Sequence, residues 1–149
     1  MNVFPIQIRD MTGADLDRIC LIEQLAGDVH WTRAQFEKEL TLTHSHFVVA
    51  LQNDIVVGYT GFWAVYGEAQ VMTIVVHPDF QCRGIGRQLL ENLCQRAKVQ
   101  NCERVTLEVR LQNVHAQQLY EKMNFKRQTI RPNVYTDPID DAVLMEKIL

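Results

Sequence analysis

Two stretches of this 149-residue chain carry residue types at spacings that chemistry needs. The first is Val75-Val76-His77-Pro78-Asp79-Phe80-Gln81-Cys82-Arg83-Gly84-Ile85-Gly86-Arg87. An apolar run leads into a loop with two glycines, and an amphipathic helix starts there. Glycine lets the backbone approach an anion, and the free N–H groups of a helix N-terminus face it with the positive end of the dipole. Arg83 and Arg87 add guanidinium groups suited to phosphate oxygens. The combination points to a phosphate-bearing ligand, and a pyrophosphate fits it best. A Walker loop needs Gly-x-x-x-x-Gly-Lys-Ser/Thr, a run the chain lacks. A dinucleotide fingerprint needs a third glycine where Leu89 stands, at the first strand–helix turn rather than past mid-chain. A bare Gly-x-Gly is most often only a helix entrance. Here the preceding strand, Pro78 and the two arginines favour a ligand.

The second stretch is Val105-Thr-Leu-Glu-Val-Arg-Leu-Gln-Asn113. Strand alternation puts Val105, Leu107 and Val109 on one face and Thr106, Glu108 and Arg110 on the other. An acidic residue in a sheet that helices cover on both sides suggests an opening in one layer. Taken alone, a carboxylate on a wet face, loosely paired with a neighbouring charge, is the commoner situation. Asn113 has an ordinary reading as the N-cap of the next helix. Tyr120, on the Leu119–Met123 apolar stripe, has one as a core tyrosine.

These residues must be held by regular elements. Leu89, Leu90, Leu93, Cys94 and Ala97 recur at helical spacing and predict a helix from about 86 to 100. Arg104 to Val109 reads as a strand, and Ala116, Leu119, Tyr120 and Met123 mark another helix. Phe125 to Arg131 and Ala142 to Ile148 read as closing strands. In the first half, Ile6 and Ile8 suggest a short strand near 4–9. Thr12 with Asp15, and Thr32 with Gln35, have capping-box spacing. The helices they open carry Leu16, Ile19 and Ile22, then Phe36 and Leu40. Phe47 to Leu51, the turn dipeptide Asn53-Asp54, and Ile55 onward read as a hairpin. A further strand from Gln70 to Val76 ends at His77-Pro78. With no repeat, linker or charge block, residues 1–149 are expected to form one α/β domain around a mixed sheet.

Composition narrows the function classes. Apolar residues make up 47% and charged residues 22%, with 4 Pro and 7 Gly, which excludes a disordered or collagen-like chain. Fifteen basic residues against 18 acidic ones leave −3, a poor balance for general binding of nucleic acid. The longest largely apolar stretch, Ile55 to Tyr66, is broken by Gly58, Thr60 and Gly61 and is too short to cross a bilayer. The first residues lack the basic-then-apolar design of a signal peptide, so a cytoplasmic protein is expected, with no membrane or nucleic-acid partner. Cys20, Cys82, Cys94 and Cys102 form no C-x-x-C pair and are read as reduced thiols. His44 and His46 lack a Cys or carboxylate partner nearby and are read as surface residues, so no metal is expected.

Gln81-x-x-Gly84-x-Gly86 resembles the coenzyme A loop of the GNAT acetyltransferase superfamily. Leu107-Glu-Val-Arg-x-x-Asn-x-x-Ala-x-x-Leu-Tyr-x-x-x-x-Phe125 resembles the second signature of its bacterial ribosomal-protein alanine N-acetyltransferases, the RimI type. The similarity extends over nearly all the chain, and is strongest from Met72 to Phe125 and weaker before Gln70. It implies the GNAT fold, a mixed, mostly antiparallel sheet of about seven strands flanked by about four helices. It also implies transfer of an acetyl group from acetyl-CoA to a primary amine, foremost the N-terminal α-amino group of a protein such as a ribosomal protein. A small-molecule amine or an internal lysine is the alternative acceptor, and a non-catalytic acyl-CoA-binding module is the alternative from another class.

By motif position the resemblance makes Glu108 the proton acceptor and Tyr120 the proton donor. Ile74, Val75 and Val76 match the strand whose backbone holds the pantetheine arm. Gln81, Cys82, Arg83, Gly84, Ile85, Gly86 and Arg87 match the pyrophosphate loop, and Asn113 a further coenzyme contact. Trp31, Arg131 and Tyr135 fall on the acceptor side. Some positions depart from the pattern. Cys82 replaces a commonly basic residue, so the loop loses a cation but keeps its backbone donors. Asn124 stands where Gly is usual, and Asn tolerates a left-handed helix cap. Pro132 and Val134 alter the Arg/Tyr-rich substrate segment, which bears on specificity rather than chemistry.

Overall fold

In the computed structural model, which describes residues 5–149, the Phe4 end of the first expected strand lies outside the described residues. The chain runs β1 (Ile6–Asp10), α1 (Leu16–Ala26), α2 (Arg33–Glu39), β2 (Ser45–Gln52), β3 (Ile55–Val65) and β4 (Glu68–Val76). It continues with α3 (Ile85–Val99), β5 (Arg104–Arg110), α4 (Val114–Lys122), β6 (Lys126–Thr136) and β7 (Ile139–Ile148).

Local chemistry starts and stops these elements. Asp15 accepts from the Thr12 amide at 2.8 Å and from both terminal nitrogens of Arg9 at 2.9 Å, closing a 3₁₀ turn that leads into α1. Thr32 and Gln35 exchange backbone and side-chain bonds of 2.7 and 3.2 Å at the start of α2. Asn53 and Asp54 both adopt left-handed φ values, 55° and 61°, as the two-residue turn between β2 and β3 requires. Asn124, with φ 72°, follows the end of α4 in the left-handed conformation anticipated for it.

The seven strands form one sheet in the order β1-β2-β3-β4-β5-β7-β6. Every neighbouring pair is antiparallel except β4–β5. The architecture is the GNAT fold, a mixed and mostly antiparallel sheet flanked by four helices. The parallel ladder is short, joining only Glu68–Gln70 to Arg104–Thr106. The register between β3 and β4 skips Met72, so β4 carries a bulge just where it leaves β5. A bulge bends its strand and sharpens the twist, and here it turns β4 away from its parallel neighbour.

One face of the sheet packs Leu90, Leu93 and Ala97 of α3 against Val105, Leu107 and Val109 of β5. The other packs Ile19 and Ile22 of α1 and Phe36 of α2 against Phe47, Val49 and Tyr59. On that second face α1 and α2 cover β2, β3 and β4. Thr106, Glu108 and Arg110 of β5 therefore look out beside the helices, at the opening that their polarity foretells. Among the described residues no helix is long and apolar enough to cross a membrane.

The closing hairpin is longer than the sequence pattern suggests. β6 continues past Pro132 to Thr136, and β7 begins at Ile139. The register jumps between Arg131 and Tyr135, and Asn133 takes φ 56° within the irregular stretch. β6 is an edge strand, where a missing proline N–H costs no ladder bond.

Candidate active site

Past Gln70, β4 has no strand partner on its β5 side, and a cavity of about 990 Å³ opens between the two strands. Met72, Thr73, Ile74 and Val75 line it from β4, and Thr106, Glu108 and Arg110 from β5. Asn113 and Tyr120 line it as well, as do Arg131 and Tyr135 of β6. Residues distant in sequence thus share one space.

Helix α4 is set by its own polar residues. The Asn113 side chain accepts from the Ala116 amide at 3.1 Å, the N-cap role its position suggests. Gln117, only 1% exposed, donates to the carbonyls of Arg110 and Leu111 at 2.9 and 2.8 Å. It thereby pins the end of β5 to α4 and satisfies two partly buried acceptors. Tyr120 follows one turn later with its ring centroid 6.0 Å from that of Phe125. It is both a buried aromatic and a wall of the cavity. Among the described residues no group bonds its hydroxyl. Burial, helped by the nearby Tyr135, pushes its phenol up to about 12.

Glu108 carries a hydrogen-bonded ion pair with Arg131, whose guanidinium donates to the carboxylate across the cavity. The Arg131 side chain is more than half exposed, so it can leave without breaking the core. Tyr135 is half-buried, with the Arg110 guanidinium 4.3 Å from its ring centroid. Burial chiefly, and Asp28 next, push its phenol up to about 12. Trp31 lies elsewhere. It packs against Phe36 and Phe47 at centroid distances of 5.3 and 5.7 Å and is not among the residues lining the cavity.

The glycine loop extends β4 toward α3. Gln81 donates to the Val76 carbonyl at 3.1 Å, tying the loop back to the strand. Cys82 and Gly84 have φ values of 61° and 81°. This left-handed pair turns the chain so that Gly84 caps α3 and Ile85 enters the core at 2% exposure. A Cβ on Gly84 would meet nothing within 4 Å, so glycine is needed there for its dihedral angle rather than for space. A Cβ on Gly86 would lie 3.9 Å from Val76, an ordinary contact. The first intrahelical bond runs from the Gln88 amide to the Gly84 carbonyl, so the Ile85, Gly86 and Arg87 amides precede the helical ladder. Arg83 lies over the Phe80 ring at 5.3 Å, and Arg87 pairs with Glu91 at 3.0 Å. A pyrophosphate suits these amides, and the unpaired edge of Ile74–Val76 leads from them to the cavity.

The four cysteines are free, and burial raises the thiols of Cys94 and Cys102. Among the described residues no group of three or more His, Cys, Asp or Glu is placed to hold a metal ion. His44 and His46 differ from their sequence reading. Both are half-buried against aromatic rings, His44 edge-on to Trp63 and His46 stacked on Phe62. Sequence reasoning assigned no site role to Gln117, Arg110 or Asp28. Their partners are backbone carbonyls or side chains on other elements, and no spacing announces such bonds.

The acetyltransferase (GNAT) family model matches residues 16–125. The chain is 36% identical over 149 residues to N-alpha-acetyltransferase RimI of Mycobacterium tuberculosis, covering 96% of this chain and 92% of that protein. It is 34% identical over 140 residues to the ribosomal protein bS18-alanine N-acetyltransferase of Escherichia coli K12, covering 93% and 94%. The crystal structure of the E. coli ribosomal-protein-S18-alanine N-acetyltransferase matches with a TM-score of 0.89 at 32% identity, over 97% of this chain and 94% of that one. The chain belongs to the GNAT family of acetyltransferases, and it is an acetyl-CoA-dependent N-acetyltransferase. Within that family it is closely related to the bacterial RimI-type enzymes.

Proposed function

We propose that this protein acts in the cytoplasm as a single acetyltransferase domain over residues 1–149. Its acceptor is the N-terminal α-amino group of a protein, a ribosomal protein first, as the relatives' names suggest. The observation that carries the reading is the joint presence of Glu108 and Tyr120 on one cavity, which opens where β4 and β5 part.

Acetyl-CoA supplies an already activated thioester, so the chain must position it, provide a neutral amine and help the thiolate leave. The Cys82–Arg87 loop holds the pyrophosphate with backbone amides and the exposed Arg83 and Arg87. The backbone of Ile74–Val76 holds the pantetheine arm, and an amide of this strand polarises the acetyl carbonyl. Asn113 adds a further coenzyme contact. Glu108 exchanges Arg131 for the acceptor ammonium and takes its proton, directly or through water. The freed amine forms the new N–C bond while the C–S bond breaks. Tyr120 directs its hydroxyl proton to the departing sulfur.

The proton arithmetic favours an N-terminal acceptor. With a pKa near 7.8, roughly a tenth of α-amines are neutral at pH 7, against about 0.04% for a lysine near 10.4. The α-amine therefore asks several-hundredfold less of the base. Thiol release from acetyl-CoA, measured against peptides beginning with Ala, Ser, Met or Gly, tests the assignment. An N-acetylated peptide carrying lysine and a set of small amines serve as controls. Turnover is expected on free N-termini. Activity confined to the blocked lysine peptide or to small amines would overturn the assignment.

A further inference from the structure

Arg110 stands two residues beyond Glu108 on the same face of β5, with its side chain only 12% exposed. Its Nε lies 2.7 and 2.9 Å from the two carboxylate oxygens of Asp28, in the loop after α1. Its Nη1 donates to the Pro138 carbonyl at 2.8 Å and its Nη2 to the Asp137 carbonyl at 3.2 Å, both at the β6–β7 turn. The guanidinium also lies over the ring of Tyr135, 4.3 Å from its centroid. All three guanidinium nitrogens are thus committed. Their partners come from two segments, 82 and about 28 residues away; Asp28 lines the cavity from the first, and Val134 and Tyr135, just before the turn, line it from the second.

We infer that Arg110 is the positioning residue of the acceptor entrance: it ties the Asp28 loop to the β6–β7 hairpin and so sets the opening through which an amine reaches Glu108. The inference rests on the acetyltransferase reading of the cavity. The backbone of Arg110 is itself fixed, because Gln117 holds its carbonyl. The hairpin has a second tie, since buried Asp140 accepts from the Gln112 amide at 3.2 Å. Asp28 is hydrogen-bonded to this assembly through the guanidinium. A lysine keeps the charge but cannot make a planar fork that reaches a carboxylate and two carbonyls at once. Arg110 does not touch the glycine loop, so its loss bears on the acceptor and not on coenzyme A.

The test is steady-state thiol release with acetyl-CoA and the best peptide acceptor, for wild type, Arg110→Gln, Arg110→Lys, Asp28→Asn and the Arg110→Gln/Asp28→Asn pair. Arg110→Gln should raise KM for the peptide about tenfold, the size of a lost charge-assisted contact, while KM for acetyl-CoA stays within about twofold. Arg110→Lys should recover less than half of that rise. The pair should be no worse than Arg110→Gln alone, because one interaction has been removed twice. Asp28 is about half exposed and its substitution leaves the core intact, so Asp28→Asn keeps the test decisive if Arg110→Gln does not fold. It should raise the peptide KM by about threefold or more. An unchanged peptide KM in a folded variant overturns the inference. So does a parallel rise in both KM values with a lower unfolding temperature, which would mark Arg110 as merely structural. A wild type that turns over no amine fails at the functional reading and takes the inference with it, whereas an active wild type with insensitive variants fails at Arg110 alone.

Discussion

Replacing Tyr120 by Phe removes one oxygen from the cavity and little else. The ring is buried beside Phe125, and no group of the described chain bonds the hydroxyl. Phe therefore keeps the packing and orphans no partner. The cost falls on the reaction. A phenol pushed up to about 12 is only about 1% ionised at pH 10, so it remains a donor throughout the working range. Handing its proton completely to a thiolate near 8.5 is uphill by about 3.5 pK units, or about 5 kcal/mol. Most of its effect is therefore a hydrogen bond to the charge that develops on sulfur as the C–S bond breaks. Losing a preorganised donor of that kind costs about 2.7–4 kcal/mol, about a hundred- to a thousandfold in kcat. Thiol release should show that fall in Tyr120→Phe, with both KM values within about twofold of wild type. The unfolding midpoint should move by less than about 2 °C. Wild-type kcat should show no alkaline loss from this group below about pH 10. A Phe variant with kcat within about threefold of wild type would refute the reasoning. An equal loss of rate accompanied by a large drop in stability would make Tyr120 a packing residue instead.

Other substitutions separate the remaining parts. Gly84→Ala forces a side chain into φ 81°, which should cost about 1–2 kcal/mol and raise KM for acetyl-CoA while sparing the acceptor KM; kinetics and thermal melts read both. Arg131→Gln removes the guanidinium that holds Glu108. Because this pair is partly exposed, acceptor KM should fall by only about two- to fivefold, and less at high salt. A rise would make Arg131 a substrate contact rather than a competitor. Asp15 is held below the usual carboxylate range, chiefly by the Arg9 guanidinium. A depressed carboxylate contributes stability above its unfolded pKa near 3.9 and loses it as pH falls through the lower folded value. Asp15→Asn should thus be less stable at pH 7 by about 1.5–3 kcal/mol, yet lose less on acidification below pH 4, as denaturant melts across pH would show.

Most elements were legible because their signals are local. Capping boxes at Thr12 and Thr32, the Asn53-Asp54 turn and the Leu89–Ala97 stripe each act within a few residues, and each forms where its pattern stands. The end of β6 was not legible. Pro132 stops a strand in an interior position and is tolerated at an edge, so the boundary depended on where the strand sits in the sheet. Trp31 is similar. An aromatic between two helices suits a pocket rim or a core, and its packing on Phe36 and Phe47 with one side left half-buried is set by where those rings sit, not by spacing.

The sequence by itself determined the chemical vocabulary of this protein. A turn with two glycines, a helix start at it, and a carboxylate at Glu108 on the polar face of a strand all follow from short-range geometry. The tertiary structure decided which of these groups meet. Met72 bulges out of register and parts β4 from β5, and this creates the space that Glu108 and Tyr120 share. Arg131 comes to Glu108 from 23 residues away, and Asp28 to Arg110 from 82. The physical reason is that periodicity records which way a side chain faces, whereas an ion pair or a cavity depends on the distance between elements, which sheet order, twist and a single bulge set together.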